Sequence, residues 1–126
     1  MRVLVIDDSR ATRAVIRRVL TGIGCEVVEA QHGRAALELL ATEDLPDVAL
    51  VDWNMPEMDG LSFIRAVRAD PSLERLPLVM VTTESEPAQV VRALSAGADE
   101  YAMKPFTADI ILDKLALLGL DVPDGR

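Results

Sequence analysis

The stretch Val3-Leu4-Val5-Ile6-Asp7-Asp8 is a short aliphatic run that ends abruptly in two carboxylates. Its length and its β-branched content are typical of a strand buried on both faces of a sheet. The same arrangement recurs at Val48–Val51, which is followed by Asp52, and at Leu78–Val81, which is followed by Thr82. These repeated strands predict a parallel sheet whose polar residues gather at one edge.

Helical patterns fill the intervals between the strands, and a Gly-rich or Pro-containing turn separates most of them. Helices are predicted over Arg10–Leu20, Arg34–Ala41 and Leu61–Ala69, then from Pro87 onward, and finally from the cap Thr107 to about Leu118. In the first helix, Val15 and Val19 are expected to face inward. In the fourth helix, Val90, Val91 and Leu94 are expected to form a stripe that lies mostly in the core.

Two further strands, Cys25–Ala30 and Tyr101–Met103, complete the alternation. Five strands alternating with five helices indicate an α/β fold, a single doubly wound parallel sheet with helices on both faces. The length of 126 residues suits one domain, which we assign to residues 1–120, with a short C-terminal tail at residues 121–126.

Composition excludes several classes of protein. Twenty-one acidic residues against 13 basic ones give a net charge of -8, which disfavours binding to a nucleic-acid backbone. A single cysteine, Cys25, excludes an intrachain disulfide and a multi-cysteine metal site. The short apolar run near the start is interrupted by the carboxylates of Asp7 and Asp8, which do not suit the apolar core of a signal peptide. No apolar run reaches the roughly 18 residues of a membrane span. We therefore expect a cytoplasmic protein without membrane contact.

The ends of the predicted strands carry the residues that could do chemistry. In open α/β sheets, ligands bind beyond the carboxyl ends of the strands. The strands deliver Asp7 and Asp8, Asp52, Thr82 and Lys104 to that edge. Two like charges about 4 Å apart repel by about 4 kcal/mol at an effective dielectric of 20, and one lysine cannot balance three acids. Oxygen ligands of this kind suit Mg²⁺, with Lys104 and Thr82 addressing an anion beside the metal.

A carboxylate can also act as the nucleophile in phosphoryl transfer. Asp52 is the best candidate because its strand lies centrally, between the strands that deliver the other acids and Thr82. Such a transfer depends on positioning and on charge neutralisation, which Mg²⁺, Lys104 and the Thr82 hydroxyl would supply.

Together with Lys104-Pro105, this set of residues resembles the receiver domain of two-component response regulators. The strings at residues 51–61 (VDWNMPEMDGL), 80–84 (MVTTE) and 96–107 (AGADEYAMKPFT) are most similar to the stand-alone, CheY-like chemotaxis members of that family. The resemblance spans essentially the whole chain. It implies a flavodoxin-like fold with strand order 2-1-3-4-5.

The resemblance also implies roles for the site residues. Asp52 would accept a phosphoryl group from a histidine kinase. Mg²⁺ would bind to Asp8, Asp52 and the backbone carbonyl of Asn54, with Asp7 acting mainly through water. Lys104 would contact the phosphoryl group, Thr82 would hydrogen-bond it, and the bond between Lys104 and Pro105 would be cis.

In this family, phosphorylation changes a surface made by the fourth helix, the fifth strand and the fifth helix. Tyr101 would rotate after Thr82 moves inward, and the chain, as a monomer, would bind a partner protein, which in the chemotaxis members is the flagellar motor switch. The surface positions to watch are Val90, Arg92, Ala93, Tyr101, Met103 and Lys114. Asn54, Thr83 and Glu84 flank the site and are expected to influence the lifetime of the phosphoryl group.

Three other functions compete with this interpretation. A Mg²⁺-dependent phosphatase of the haloacid dehalogenase type needs a second aspartate two residues after its nucleophile, where this chain has Asn54, so an enzyme with external turnover is not expected. A flavodoxin-like cofactor binder would place a phosphate where Asp7 and Asp8 would repel it. A phosphorelay intermediate, or a diffusible receiver that serves a pathway other than motility, stays open.

Overall fold

The computed structural model describes residues 1–83 and 87–120; the tail predicted at residues 121–126 lies outside them. Strands and helices alternate along the chain. The elements are β1 (Arg2–Ile6), α1 (Arg10–Gly22), β2 (Glu26–Ala30), α2 (Gly33–Thr42), β3 (Val48–Asp52), α3 (Gly60–Ala69), a 3₁₀ turn (Pro71–Leu73), β4 (Leu78–Thr82), α4 (Pro87–Ala96), β5 (Glu100–Met103) and α5 (Ala108–Leu117). Within the described ranges, no helix has both the length and the apolar character needed to cross a bilayer.

The five strands form one parallel sheet in the order β2-β1-β3-β4-β5, which confirms the predicted fold. The register brings the carboxyl ends of the central strands together. Ile6 lies beside Val51, and Asp52 lies beside Val81. Residues that follow β1, β3 and β4 therefore meet at one edge of the sheet, as parallel strands require.

The sheet is covered by a hydrophobic layer on each face. Phe63, Ile64 and Met80 lie in the layer formed with α2, α3 and α4. Ile16, Leu20 and Ile111 lie in the layer formed with α1 and α5. All five residues of β3 are buried, which explains why this strand is a continuous apolar run rather than an alternating one.

The buried face of α1 differs from the predicted one. Val15 is 59% exposed, and Ile16 and Leu20 are the residues that enter the core, with Val19 only partly buried. Ile16 and Leu20 are four residues apart and therefore lie on the same face of the helix. The expectation that Val15 faces inward was wrong, because it set the apolar face one residue too early.

The predicted core stripe of α4 was also wrong. Val91 is 60% exposed and Leu94 is largely exposed, whereas Ala93 is fully buried. A small residue on the buried face lets a helix lie close to the strands beneath it, and this puts the larger side chains on the outer faces. The apolar residues of α4 therefore lie mainly on its surface.

Candidate functional site

Three carboxylates converge at the carboxyl ends of β1 and β3. Asp7 is 1% exposed and Asp52 is 6% exposed, while Asp8 faces solvent. One oxygen from each of these side chains lies within 4.8 Å of the others. The edge of the sheet thus brings together the three acids that the sequence singled out.

Lys104 completes this cluster from the end of β5. Its Nζ donates hydrogen bonds to Asp7 Oδ2 at 2.7 Å and to Asp52 Oδ1 at 2.9 Å. Its backbone N–H donates to the carbonyl of Thr82 at 2.9 Å, and its bond to Pro105 is cis, as expected. One ammonium therefore contacts two buried carboxylates, and the three acids outnumber it.

The close approach of these charged groups shifts the pKa of both Asp52 and Lys104. Burial raises the pKa of Asp52, the hydrogen bond and charge of Lys104 lower it, and the charges of Asp7 and Asp8 raise it again, so that the net shift is upward. Burial alone would lower the pKa of Lys104. Its hydrogen bonds to Asp7 and Asp52 outweigh that effect and raise the pKa. The site consequently holds a firmly protonated lysine beside Asp52, a carboxyl group whose raised pKa means that it resists ionisation.

Asp7 is held in place by contacts that the sequence did not reveal. Its Oδ1 accepts the backbone N–H of Ser9 at 2.9 Å, and its backbone carbonyl accepts a hydrogen bond from Arg13 Nη1 at 2.6 Å. Arg13 belongs to α1, next to β1 in the fold. Its role follows from the approach of α1 to β1, which is a tertiary feature with no local signal.

The loop after Asp52 folds back closely on the end of β3. The N–H of Gly60 donates to the carbonyl of Trp53 at 2.8 Å, and the N–H of Trp53 donates to the carbonyl of Val81 at 3.2 Å. A Cβ at Gly60 would collide with the carbonyl oxygen of Asp52, so this return of the chain requires glycine. Asn54 is exposed in the loop, two residues after Asp52.

Of the residues predicted to contact or influence the site, Thr82 ends β4 and Thr83 directly follows it. Thr82 is buried at the end of the strand, while Thr83 is exposed. Thr83 lines an open cleft of about 340 Å³ together with Lys104, Pro105, Phe106 and one side of α1. Glu84, the third predicted residue of this stretch, lies outside the described residues.

The donor set fits a hard divalent cation. Carboxylate oxygens from three side chains meet within 4.8 Å, and one of the three, Asp8, opens to solvent where water ligands could complete a coordination shell. A single lysine leaves this cluster with an excess of negative charge that a divalent cation would neutralise. The residues present therefore suit Mg²⁺.

Comparison with known proteins agrees with this geometry. A family model described as the response regulator receiver domain matches residues 3–116. This chain belongs to that family. The match covers every strand in full except for the first residue of β1, and it includes all the residues of the acidic cluster.

Relatives of this receiver domain include chemotaxis proteins. It is 45% identical over 116 residues to a CheY homologue of Campylobacter jejuni, covering 91% of this chain and 89% of that protein. It is 43% identical over 119 residues to CheY1 of Helicobacter pylori, covering 94% and 96%. The solved structure of CheY4 of Vibrio cholerae superposes with a TM-score of 0.84 at 35% identity, covering 93% of this chain and 97% of that one.

The structure corrects part of the predicted partner surface of this receiver domain. Ala93 is 0% exposed and lies in the core, so its side chain cannot contact a partner. Lys114 is partly buried, and its Nζ lies 3.1 Å from Glu100 Oε1. Val90 and Tyr101 are partly buried, whereas Met103 and Arg92 are exposed.

Proposed function

We propose that this receiver domain acts as a response regulator that accepts a phosphoryl group on Asp52 from a histidine kinase, with Mg²⁺ bound, and then binds a partner protein. The observation that carries the proposal is the cluster itself. Asp52 ends the central strand within 4.8 Å of two other acids, and its carboxylate accepts a hydrogen bond from Lys104. That combination suits a reaction that needs positioning and charge neutralisation more than proton transfer.

In the proposed step, a carboxylate oxygen of Asp52 attacks the phosphorus of a phosphohistidine. A P–O bond forms, the P–N bond breaks, and the imidazole of the kinase leaves with the electron pair of that bond. Lys104 already donates to Asp52 and Asp7, so its ammonium is placed to donate to an oxygen of the transferred group. Thr82, buried at the adjacent strand end, offers a hydroxyl to the same group.

Asp8, Asp52 and the backbone carbonyl of Asn54 would hold the Mg²⁺, with Asp7 acting mainly through water. The ion, when bound, would neutralise the negative charge on the phosphoryl oxygens. Asn54 cannot serve as the general acid that a turnover phosphatase requires two residues after its nucleophile. We therefore expect the group to stay on Asp52 until it is hydrolysed, so the protein would act as a switch and not as an enzyme on an external substrate.

The surface formed by α4, β5 and α5, here called the output face, is the proposed binding site for the partner. Most of the large hydrophobic side chains that are exposed in the described residues belong to these three elements. They are Val91, Leu94, Met103, Ile110 and Leu117. Apolar side chains gathered on one face are typical of protein-binding surfaces.

The relatives support a role in chemotaxis, since proteins named for that function share 43–45% of their residues with this chain over most of its length. The donor would then be a chemotaxis kinase, and the partner would be the flagellar motor switch. By the same similarity, we expect the protein to act in the cytoplasm as a monomer.

Acetyl phosphate tests the phosphorylation directly. The protein is incubated with acetyl phosphate and Mg²⁺, and its intact mass is measured. We expect one added phosphoryl group in the parent and in the control variant Asp44→Asn, which removes an exposed acid that is not part of the cluster. Asp52→Asn should take up none. A parent mass that does not change, or an Asp52→Asn variant that is modified as fast as the parent, would refute the proposal.

A further inference from the structure

The cationic side chain of Arg92 lies over the ring of Trp53, the aromatic residue next to the proposed phosphoacceptor. The guanidinium carbon of Arg92, on α4, lies 5.8 Å from the centroid of the Trp53 ring. Trp53 directly follows Asp52 and is only 7% exposed. Because Arg92 is itself exposed, its guanidinium forms part of the cover between this ring and solvent.

Within residues 1–83 and 87–120, ion pairing does not account for the position of Arg92. Among the described residues, no carboxylate lies within ion-pair distance of its guanidinium. Its Nη1 donates to Gln89 Oε1 at 3.2 Å, within α4 itself. A guanidinium over the face of a tryptophan is attracted by the ring quadrupole, so in the described part of the chain the ring and Gln89 hold this side chain.

Arg92 lies on the side of α4 that faces away from the exposed apolar residue Leu94. Arg92 and Leu94 are two positions apart in the sequence, which corresponds to a rotation of about 200° around the helix axis. Trp53, whose ring Arg92 contacts, directly follows the central strand β3, whereas the output face lies toward the edge strand β5. The contact therefore joins α4 to the acceptor loop instead of adding a cation to the partner surface.

Trp53 is also fixed to the loop through its backbone. Its N–H donates to Val81 at the end of β4, and its carbonyl accepts from Gly60 at the start of α3. The ring, Asp52 and the following Asn54 thus belong to one tightly bonded turn. A displacement of the ring would be transmitted directly to the acceptor carboxylate and to the Asn54 carbonyl.

We propose that Arg92 is a positioning residue for the acceptor loop, which acts by holding the Trp53 ring and so making α4 and Asp52 shift together. The proposal rests on the proposed function, because it assigns Arg92 a role in phosphorylation of Asp52. An exposed cation–π contact changes an equilibrium by about two- to fivefold, and the effects of its loss should have this size.

The first test uses the unmodified protein and does not depend on phosphorylation. Trp53 is the single tryptophan of the chain, so fluorescence excited at wavelengths that tryptophan absorbs and tyrosine does not reports on this ring alone. We expect acrylamide to quench Arg92→Ala about twofold more strongly than the parent. Arg92→Lys, which keeps a cation, should stay close to the parent. The matched control Arg65→Ala removes an exposed arginine of α3 that makes no hydrogen bond or ion pair within the described residues, and it should leave quenching unchanged.

The second test measures the rate at which acetyl phosphate modifies Asp52 at saturating Mg²⁺. The rate should fall about two- to fivefold in Arg92→Ala and recover in Arg92→Lys, with Arg65→Ala at the parental rate. Parental quenching in Arg92→Ala would show that the guanidinium does not hold the ring. Altered quenching with a parental rate, or no recovery with lysine, would show a packing contact without a positioning role. Both results would overturn the proposal. If the parent itself takes up no phosphoryl group, the proposed function fails and the positioning role fails with it, whereas the quenching test still decides whether Arg92 covers the ring.

Discussion

Of the three acids in the cluster, Asp8 is the one that Lys104 does not contact. Lys104 contacts Asp7 and Asp52, whereas Asp8 lies in solvent within 4.8 Å of both acids and forms no ion pair with the lysine. Without a bound cation, the ionised Asp8 therefore opposes folding. Because it is exposed, the water-like estimate of about 1 kcal/mol applies to its repulsion.

We predict that Asp8→Asn raises the free energy of unfolding by about 1 kcal/mol when Mg²⁺ is chelated. The gain should disappear or reverse at saturating Mg²⁺, because an ion that binds only the folded parent stabilises it and the variant has lost a ligand. Urea unfolding with and without Mg²⁺ measures both values. Asp44→Asn, which removes an exposed acid outside the cluster, should change neither. A destabilised Asp8→Asn protein in chelator would contradict this account of the cluster.

Single residues also show how far the sequence alone could go. Asp7, Asp8, Asp52 and Lys104 could be placed together because parallel strands end at one edge, and a polar residue after an apolar run marks each end. The bonds of Lys104 to two acids could not be foreseen, because they depend on side-chain geometry between residues that are 97 and 52 positions apart. The contact of Arg92 with Trp53 could not be predicted from the sequence for the same reason.

Among the elements, α1 is tied to the edge strand β2 by a carboxylate shared between two arginines. Glu29 Oε2 accepts from Arg17 Nε at 2.7 Å, and Oε1 accepts from Arg13 Nε at 3.2 Å. The hydrogen bond from Arg17 is the main cause that lowers the pKa of Glu29 below its ordinary value of 4.5; Arg13 contributes, and partial burial opposes the shift. The ionised form is therefore favoured in the folded state.

The sign of the pH dependence follows from that shift. A carboxyl whose pKa is lowered by folding stabilises the protein above its unfolded-state pKa, and this contribution is lost as the pH falls through the folded-state value. We predict that Glu29→Gln lowers stability by about 0.5 kcal/mol at pH 7, since the pair is partly exposed, and that the difference from the parent shrinks as the pH falls well below 4.5.

Urea titrations at neutral and acidic pH measure this difference. Glu26→Gln is the matched control because Glu26 is an exposed acid on the same strand with no ion pair in the described residues. It should behave like the parent at both values. A Glu29→Gln deficit that persists at acidic pH would mean that packing, and not charge, joins α1 to β2.

Element boundaries were easier to predict than element faces. The sequence located all five strands to within a residue or two, and the clearest apolar runs were those of β1, β3 and β4, which are buried on both faces. Which side chains of a helix are buried depends on how the helix packs against the sheet. Sequence periodicity alone predicted that Val15 and Leu94 are buried, whereas the buried residues are Ile16 and Ala93. The hydrogen bonds that Arg68 donates to the Gly97 carbonyl and to Asp99 could not be predicted either, because they depend on how α3 packs beside the turn after α4.

At the scale of the whole molecule, the net charge of -8 bears on how an anionic donor reaches the site. With Mg²⁺ bound, the three carboxylates, the ammonium of Lys104 and the dication cancel one another, so the site itself is close to neutral. The remaining acid excess is distributed over the rest of the surface. At low salt the Debye length approaches about 20–30 Å, and these remote acids repel a small anion; near physiological salt it is about 8 Å, and they do not.

We therefore predict that the rate of Asp52 phosphorylation by acetyl phosphate, at saturating Mg²⁺, rises about two- to threefold when the ionic strength is increased from about 0.02 M to about 0.2 M. Intact-mass time courses at several KCl concentrations measure the slope. Neutralising Glu43 and Asp44 together, both outside the cluster, should reduce it while leaving the rate at high salt unchanged. A rate that falls with salt would mean that a local positive field steers the donor, and a flat rate would mean that the distant acids have no influence on its approach. A rise confined to the parent and absent from the neutralised variant would assign the effect to the loop between α2 and β3 instead of the surface as a whole.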